Sequence, residues 1–335
     1  VLNTMPDFAR DYFRAIEPTT STKTRISYAY DIRIFFQFLI SQNPSLAKIG
    51  IPNLNVSVLD QLKPIDIEEY MEYLKLYDSP NDQTTITNGE RGLKRKISSL
   101  RSFYTYYYKR QAIETNPVQL VDMPKIHDKA IIRLDAGETA ALLDYIEHCG
   151  DQLTGQRKAY YEKTKLRDLA IVTLLLGTGI RVSECVGLDV EDIDFRNNGI
   201  RLIRKGGSEM VVYFGPEVEK ALKDYLEARK AISPLEGHEH ALFYSTQRKR
   251  IGVQAVENLV KKYARAITTT KKITPHKLRS TYGTTLYQET GDIYLVADVL
   301  GHKDVNTTKK HYAAMDDARR RKAATAIRLR EDYED

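Results

Sequence analysis

Residues 169–179 read LAIVTLLLGTG. In a helix of 3.6 residues per turn such a run places apolar side chains on every face, so other elements must wrap it on all sides. It is too short to cross a membrane, which takes roughly 18 or more apolar residues. Gly177-Thr178-Gly179 supplies the stop. A chain containing this segment has to build a many-sided core around it, and the neighbouring sequence must provide the cover.

Covering elements are legible on both sides. AGETAALLDYIEHCG precedes the run as a helix, and GIRLIRKGGSEMVVYFG follows with two β-rich stretches around Lys205-Gly206-Gly207-Ser208, a hairpin signal. Helical patterns resume at Pro216 and continue to the end. Further upstream, TRISYAYDIRIFFQFLI carries Ile26, Tyr30, Ile32, Ile34, Phe35 and Phe38 at helical spacing, with Asn43-Pro44 as its stop. PIDIEEYMEYLKLY opens on Pro64 with early acidic residues, as the helix dipole prefers. ERGLKRKISSLRSFYTYYYKR has an apolar stripe through Leu93, Ile97, Leu100, Phe103 and Tyr107 opposite a basic face. At 335 residues two domains are expected. Residues 1–120 read as all-helical, 121–133 as a linker with broken periodicity, and 134–335 as a second, mixed domain. The fold class is mainly α with a small antiparallel sheet in the C-terminal domain.

Apolar residues at 42% and charged residues at 29% are those of a globular protein, neither disordered nor fibrous. The first residues, VLNTMPDFARDYF, lack the basic-then-apolar layout of a signal peptide, so a cytosolic location with no membrane partner is expected. Opening on Val1 instead of methionine leaves room for residues in front. Cys149 and Cys185 make neither a disulfide framework nor a metal pattern, and no His-Glu-x-x-His spacing occurs, so neither metal nor other cofactor is expected. Net charge is +6. Basic clusters at 91–96, 247–252, 261–272 and 318–324 are dispersed as a surface following a phosphate backbone requires, although each one alone is compatible with a solvated helix face.

Four stretches carry polar residues at element ends. In TPHKLRSTYGTTLYQETG, Thr274 is a candidate cap, Pro275 suits the first helical position and Gly291 ends the helix. His276 and Arg279 then share one face near a helix N-terminus, where the dipole favours an anion. Arg181 follows the Gly177-Thr178-Gly179 break, with Glu184 one turn on to hold its guanidinium. Lys205 sits at the hairpin turn. In LGHKDVNTTKKHY, Gly301 closes a helix that Asp292 can cap, His302 follows, and Tyr312 stands among threonines and lysines. Arginines grip phosphodiester oxygens bidentately, a tyrosine hydroxyl can attack phosphorus, and lysine or histidine can manage the protons, all without a metal.

The order Arg181, Lys205, His276-x-x-Arg279, Leu300-Gly301-His302 and Tyr312 resembles the tyrosine recombinase (phage integrase) family, nearest its Xer-like bacterial members. TGIRVSE, TPHKLRSTYGT and LGHKDVNTT are similar to its signature boxes, and the helical patterns of residues 24–117 are similar to its core-site-binding domain. Ser280 stands where histidine is commoner and Tyr282 where phenylalanine is. The spacing from His302 to Tyr312 is one residue longer than in typical Xer proteins, which leaves chromosome-dimer resolution and mobile-element integration both open.

The resemblance implies site-specific recombination through a 3′-phosphotyrosyl intermediate and a Holliday junction, without ATP. Tyr312 would be the nucleophile and Arg181 and Arg279 the phosphate clamp, with Glu184 supporting the first. Lys205 would protonate the leaving 5′ oxygen, His276 would assist proton transfer from the tyrosine, and His302 would hydrogen-bond the phosphate. The implied partners are double-stranded recombination sites, two of them held by a homo-tetramer, with a partner recombinase or activator protein left open. The residue set is also compatible with a type IB-like topoisomerase, against which the helical N-terminal domain argues. It is compatible, too, with a DNA-binding protein that has no catalysis.

Overall fold

The computed structural model describes residues 1–78, 84–127, 131–204, 207–302, 305 and 308. The chain divides into two compact units, Val1–Lys129 and Ala130–Asp335.

The first unit contains α1 (Ala9–Ala15), α2 (Thr22–Gln42), α3 (Pro44–Ile49), α4 (Pro64–Lys75), strands β1 (Leu76–Asp78) and β2 (Thr85–Thr87), α5 (Glu90–Lys109) and α6 (Pro117–Leu120). Its expected all-helical character is corrected at one place. β1 and β2 pair antiparallel, Tyr77 opposite Ile86, where the β-branched Thr85-Ile86-Thr87 favours extended backbone. Ser21 caps α2, its hydroxyl accepting from the Thr24 N–H at 3.2 Å, and Asn43 turns the chain into α3 by accepting from Ser45 and Leu46. The core is aromatic: Phe35, Tyr70, Phe103 and Tyr104 are fully buried, and Phe35 meets Tyr70 edge-on with centroids 5.2 Å apart.

Within that core α2 and α5 are joined by charge. Asp31 is buried, and its carboxylate accepts from Arg95, from Lys96 Nζ at 3.3 Å and from Ser99 Oγ at 3.3 Å. The α5 stripe is buried as its spacing indicates, and so are Ile32, Phe35 and Phe38 of the α2 stripe. Ile26 and Tyr30, nearer the start of α2, face outward instead, while Ala29, Phe36 and Leu39 join the core. Asp31 lies on the buried side, its carboxylate turned toward Lys96 on α5.

The second unit contains α7 (Ala136–His148), α8 (Gly155–Thr178), α9 (Val182–Gly187), strands β3 (Ile193–Asp194), β4 (Gly199–Ile203) and β5 (Glu209–Tyr213), α10 (Pro216–Arg229), α11 (Val253–Ile267), α12 (Pro275–Thr290) and α13 (Ile293–Leu300). α8 is the central helix, with Ala170 through Leu175 buried, and it packs against α7, α10 and α12. It starts at Gly155, well ahead of the apolar run that begins at Leu169. Tyr161 anchors this extension by donating its hydroxyl to the Ile146 carbonyl at 3.0 Å. The sheet is antiparallel in the order β3-β4-β5, with Ile200 opposite Val212. Ile200, Leu202 and Val212 point into the core while Arg201, Ile203 and Val211 point out, the period-2 alternation of a sheet covered on one side. Among the described residues no helix is long and apolar enough to cross a membrane.

Candidate active site

The central helix delivers the first arginine. α8 ends at Thr178, and Gly179 adopts a left-handed conformation, φ +63°, that lets the chain leave the helix at once. The same glycine admits a close neighbour, since a Cβ there would lie 2.3 Å from Tyr282 Cδ1 on α12. Arg181 is the N-cap of α9, with Glu184 at its third position. One carboxylate serves twice: Oε2 accepts the Arg181 backbone N–H at 2.7 Å, and Oε1 accepts from the Arg181 guanidinium at 2.7 Å. The contact expected between Glu184 and Arg181 is thus present, and the carboxylate holds both the backbone and the guanidinium of the arginine.

α12 delivers the second. Pro275 occupies its first turn and Gly291 its left-handed end, φ +69°, as the sequence indicates. Thr274 does stand at the N-cap position, but its side chain makes no cap hydrogen bond, so the expected threonine cap is corrected. His276 is exposed on the first turn, three residues before Arg279, which is buried. Arg279 donates from Nη1 to the Gly179 carbonyl at 2.6 Å and from Nη2 to the Leu300 carbonyl.

The end of α13 gathers these groups. Asp292 caps its start by accepting from Tyr294 at 2.8 Å and Leu295 at 3.1 Å, and Gly301 ends it at φ +60°. Three consecutive carbonyls at this terminus each accept from a different arginine. Val299 accepts from Arg204 at 3.0 Å, Leu300 from Arg279, and Gly301 from Arg181 at 3.2 Å. The last carbonyls of a helix are unpaired and carry its negative dipole end, so guanidinium groups are favoured there. Their mutual repulsion is offset by Glu184, whose Oε1 also lies 3.8 Å from Arg204 Nε. Concentrated positive charge behind one helix end, with Arg181 still part-exposed, makes a seat for an anion.

His302 follows directly. Its backbone N–H donates to the Ala297 carbonyl at 2.9 Å, and its ring Nδ1 is 2.7 Å from the hydroxyl of Thr308, which is fully buried. That contact orients the imidazole. The structure therefore brings together Arg181, Glu184, Arg279 and the residue preceding His302, and places His276 on the helix of Arg279. Lys205 and Tyr312 lie outside the described residues. Sequence reasoning missed Arg204 and Thr308. The first is signalled only by adjacency to Lys205, and the second is one of two threonines in Asn306-Thr307-Thr308 with nothing local to distinguish it. Among the described residues no group of three or more His, Cys, Asp or Glu side chains is placed to hold a metal ion.

The geometry can be set beside known proteins. The profile of the phage integrase family matches residues 133–319. The chain belongs to that family. Among curated relatives, the tyrosine recombinase XerC of Caldanaerobacter subterraneus subsp. tengcongensis is 33% identical over 324 residues, covering 93% of this chain and 83% of that protein. The tyrosine recombinase XerS of Streptococcus equi subsp. zooepidemicus is 31% identical over 327 residues, covering 91% of each. Among solved structures, the Tn1549 transposon integrase in complex with transposon right end DNA is similar in fold, with a TM-score of 0.66 at 22% identity over 94% of this chain and 98% of that one. The protein is thus a Xer-like tyrosine recombinase, an enzyme of site-specific DNA recombination, and the mainly helical fold with small antiparallel sheets is that of its relatives.

Burial tunes this recombinase's site. Desolvation pulls the Arg204 guanidinium below its ordinary pKa; Glu184 opposes the shift, and the charge on Arg181 adds to it. Burial likewise raises the Tyr282 phenol, keeping it neutral beside Gly179. Cys185, on α9 beneath Arg181, is pushed up to about 12 by burial.

Proposed function

We propose that this recombinase cuts one DNA strand at a time by attack of the Tyr312 phenol oxygen on a phosphodiester seated between Arg181 and Arg279. The Tyr312 O–P bond forms as the P–O5′ bond breaks. His276 takes up the phenol proton, Lys205 gives a proton to the departing 5′ oxygen, and His302 donates a hydrogen bond to a non-bridging oxygen. The product is a 3′-phosphotyrosyl linkage that retains the energy of the broken ester, so a 5′ hydroxyl from a second duplex can reverse the step and join the strands without ATP. Four protomers on two duplex sites exchanging strand pairs through a Holliday junction is the assembly this chemistry calls for.

The observation that carries the reading is the fixing of Arg181 and Arg279 on the successive Gly301 and Leu300 carbonyls at the end of α13, with Glu184 holding the Arg181 guanidinium. Fixed guanidinium groups stabilise a crowded phosphorane without having to reorganise during reaction. The first unit would serve as the core-site DNA-binding domain. Arg91, exposed on α5, and Lys261 and Arg265, exposed on α11, are candidates for phosphate contact. Other cations of the basic clusters are already engaged inside the fold. Lys96 is held by Asp31 and Arg250 by Asp189.

The test is trapping on a nicked duplex whose cleavage releases a short fragment. A denaturation-resistant protein–DNA adduct is expected from the natural sequence and none from Tyr312→Phe. DNA binding with no adduct from either protein would overturn the reading.

A further inference from the structure

Arg204 follows the last residue of β4 and immediately precedes Lys205. Its backbone frames the hairpin turn: its N–H donates to the Ser208 carbonyl at 2.9 Å, and its carbonyl accepts from the Gly207 N–H at 2.9 Å. Its side chain runs inward, only 10% exposed, and Nη2 reaches the Val299 carbonyl at 3.0 Å. The fit at the far end is close, because a Cβ on Gly301 would stand 1.4 Å from Arg204 Nη1 and 2.2 Å from its Cζ. The guanidinium therefore occupies the space that the glycine leaves, beside the residue preceding His302.

This placement is energetically costly. Arg204 is desolvated, shares Glu184 with Arg181, and its buried Nε has no hydrogen-bond partner among the described residues. An aliphatic side chain could fill the same gap with neither repulsion nor an unpaired donor. What an aliphatic side chain could not do is hold the turn to the α13 carbonyl by a directed bond.

We infer that Arg204 is a positioning residue, fastening the turn that carries Lys205 to the carboxyl end of α13 so that the lysine meets the leaving 5′ oxygen. The inference rests on the reading of Lys205 as the proton donor in the proposed mechanism. Arg204 itself transfers no proton and takes no place on the phosphate; it acts through Lys205. In the step concerned, a Lys205 N–H proton passes to O5′ as the P–O5′ bond breaks. Replacing that bridging oxygen by sulfur removes the need for the proton, because a thiolate leaves unaided.

The experiment compares the natural sequence with Arg204→Ala, Arg204→Gln and Lys205→Ala. It uses nicked duplexes carrying a site selected by the protein from a randomised pool, with either oxygen or sulfur at the 5′ bridging position. Single-turnover adduct formation and duplex affinity are both measured. On the oxygen duplex Arg204→Ala is expected to slow cleavage by about 10- to 100-fold, and Lys205→Ala by about 10²- to 10⁴-fold, the usual range for a lost general acid. Affinity should stay within about threefold, since neither change removes the arginine clamp. On the sulfur duplex both are expected to return to within about threefold of the natural sequence. Arg204→Gln keeps a donor and most of the side-chain volume, so it provides a folded variant in which the same rescue is read, with a smaller defect.

Restoration of Lys205→Ala by sulfur but not of the Arg204 variants would overturn the positioning role alone. A Lys205→Ala defect that persists on sulfur would overturn the reading of Lys205 beneath it. Cleavage of the oxygen duplex at the natural rate by Arg204→Ala would also overturn the positioning role.

Discussion

Arg279 donates to the Gly179 carbonyl at 2.6 Å across 100 residues of sequence, so the buried arginine of α12 is fastened to the exit of the central helix. Its other terminal nitrogen is bound to Leu300, and the carbonyl next to Leu300, that of Gly301, is bound by Arg181. The two arginines thus hold each other's scaffolds, and disturbing one element shifts the seat of both.

Arg181→Lys is expected to separate binding from chemistry. The guanidinium satisfies Glu184 and the Gly301 carbonyl at once, and still has N–H groups beyond those two contacts; an ammonium is a point charge that cannot span them. Duplex affinity should stay within a few-fold, while adduct formation falls by about 10²- to 10³-fold, the loss typical of one transition-state donor. Gel-shift titration and single-turnover cleavage check it. Loss of binding with cleavage intact would contradict the assignment.

Gly301→Ala should cost stability and activity together. Its φ of +60° is unfavourable for a residue with a Cβ by about 1–2 kcal/mol, and the added methyl must displace the Arg204 guanidinium. Combining it with Arg204→Ala should be clearly less damaging than the sum of the two, because the collision is removed. Urea denaturation and cleavage rates on the two single variants and the double variant measure that coupling.

Asp31→Ala tests the charged tie in the first unit. Lys96 is buried, and removing its carboxylate leaves a desolvated ammonium. Breaking a buried ion pair from one side costs about 3–5 kcal/mol. The denaturation midpoint of the first unit should fall accordingly, while the strand cleavage proposed for residues of the second unit should change only through DNA binding.

Both thiols should be silent in the folded enzyme. Burial raises Cys149 and carries Cys185 from 9.0 to about 12, so at pH 8 neither is appreciably thiolate. Iodoacetamide is expected to label neither until urea is added. The linkage has a definite sign. The folded state holds the Cys185 proton more tightly than the unfolded chain does, so this contribution is complete below pH 9 and is lost as pH rises from about 9 toward 12. Labelling of Cys185 in native buffer would contradict its burial.

Much of this was legible in the sequence because it is local. The apolar run 169–176 demanded a wrapped helix, and α8 is one, with Ala170 through Leu175 inaccessible. Gly179, Gly291 and Gly301 marked helix ends, and each takes the left-handed conformation that a side chain resists. Asp292 was readable as a cap and Glu184 as the partner of Arg181, since both interactions span three residues or fewer. The polar residues of the three motif stretches could be named, and their family with them, because that signal lies in residue types and their order along the chain.

Tertiary structure decided what depends on distant groups. Periodicity put Ile26 and Tyr30 on one apolar stripe with Ile32, Phe35 and Phe38, but only the latter three are buried, and Asp31, a carboxylate in the same helix, is buried against Lys96 and Arg95 of α5. No spacing rule announces that Arg204, Arg279 and Arg181 will meet Val299, Leu300 and Gly301 in turn, or that Thr308 will meet His302. Helix and strand periods specify which face a residue occupies. Which carbonyl lies opposite that face follows from how α8, α12, α13 and the β4–β5 hairpin pack, and only the folded chain contains that information.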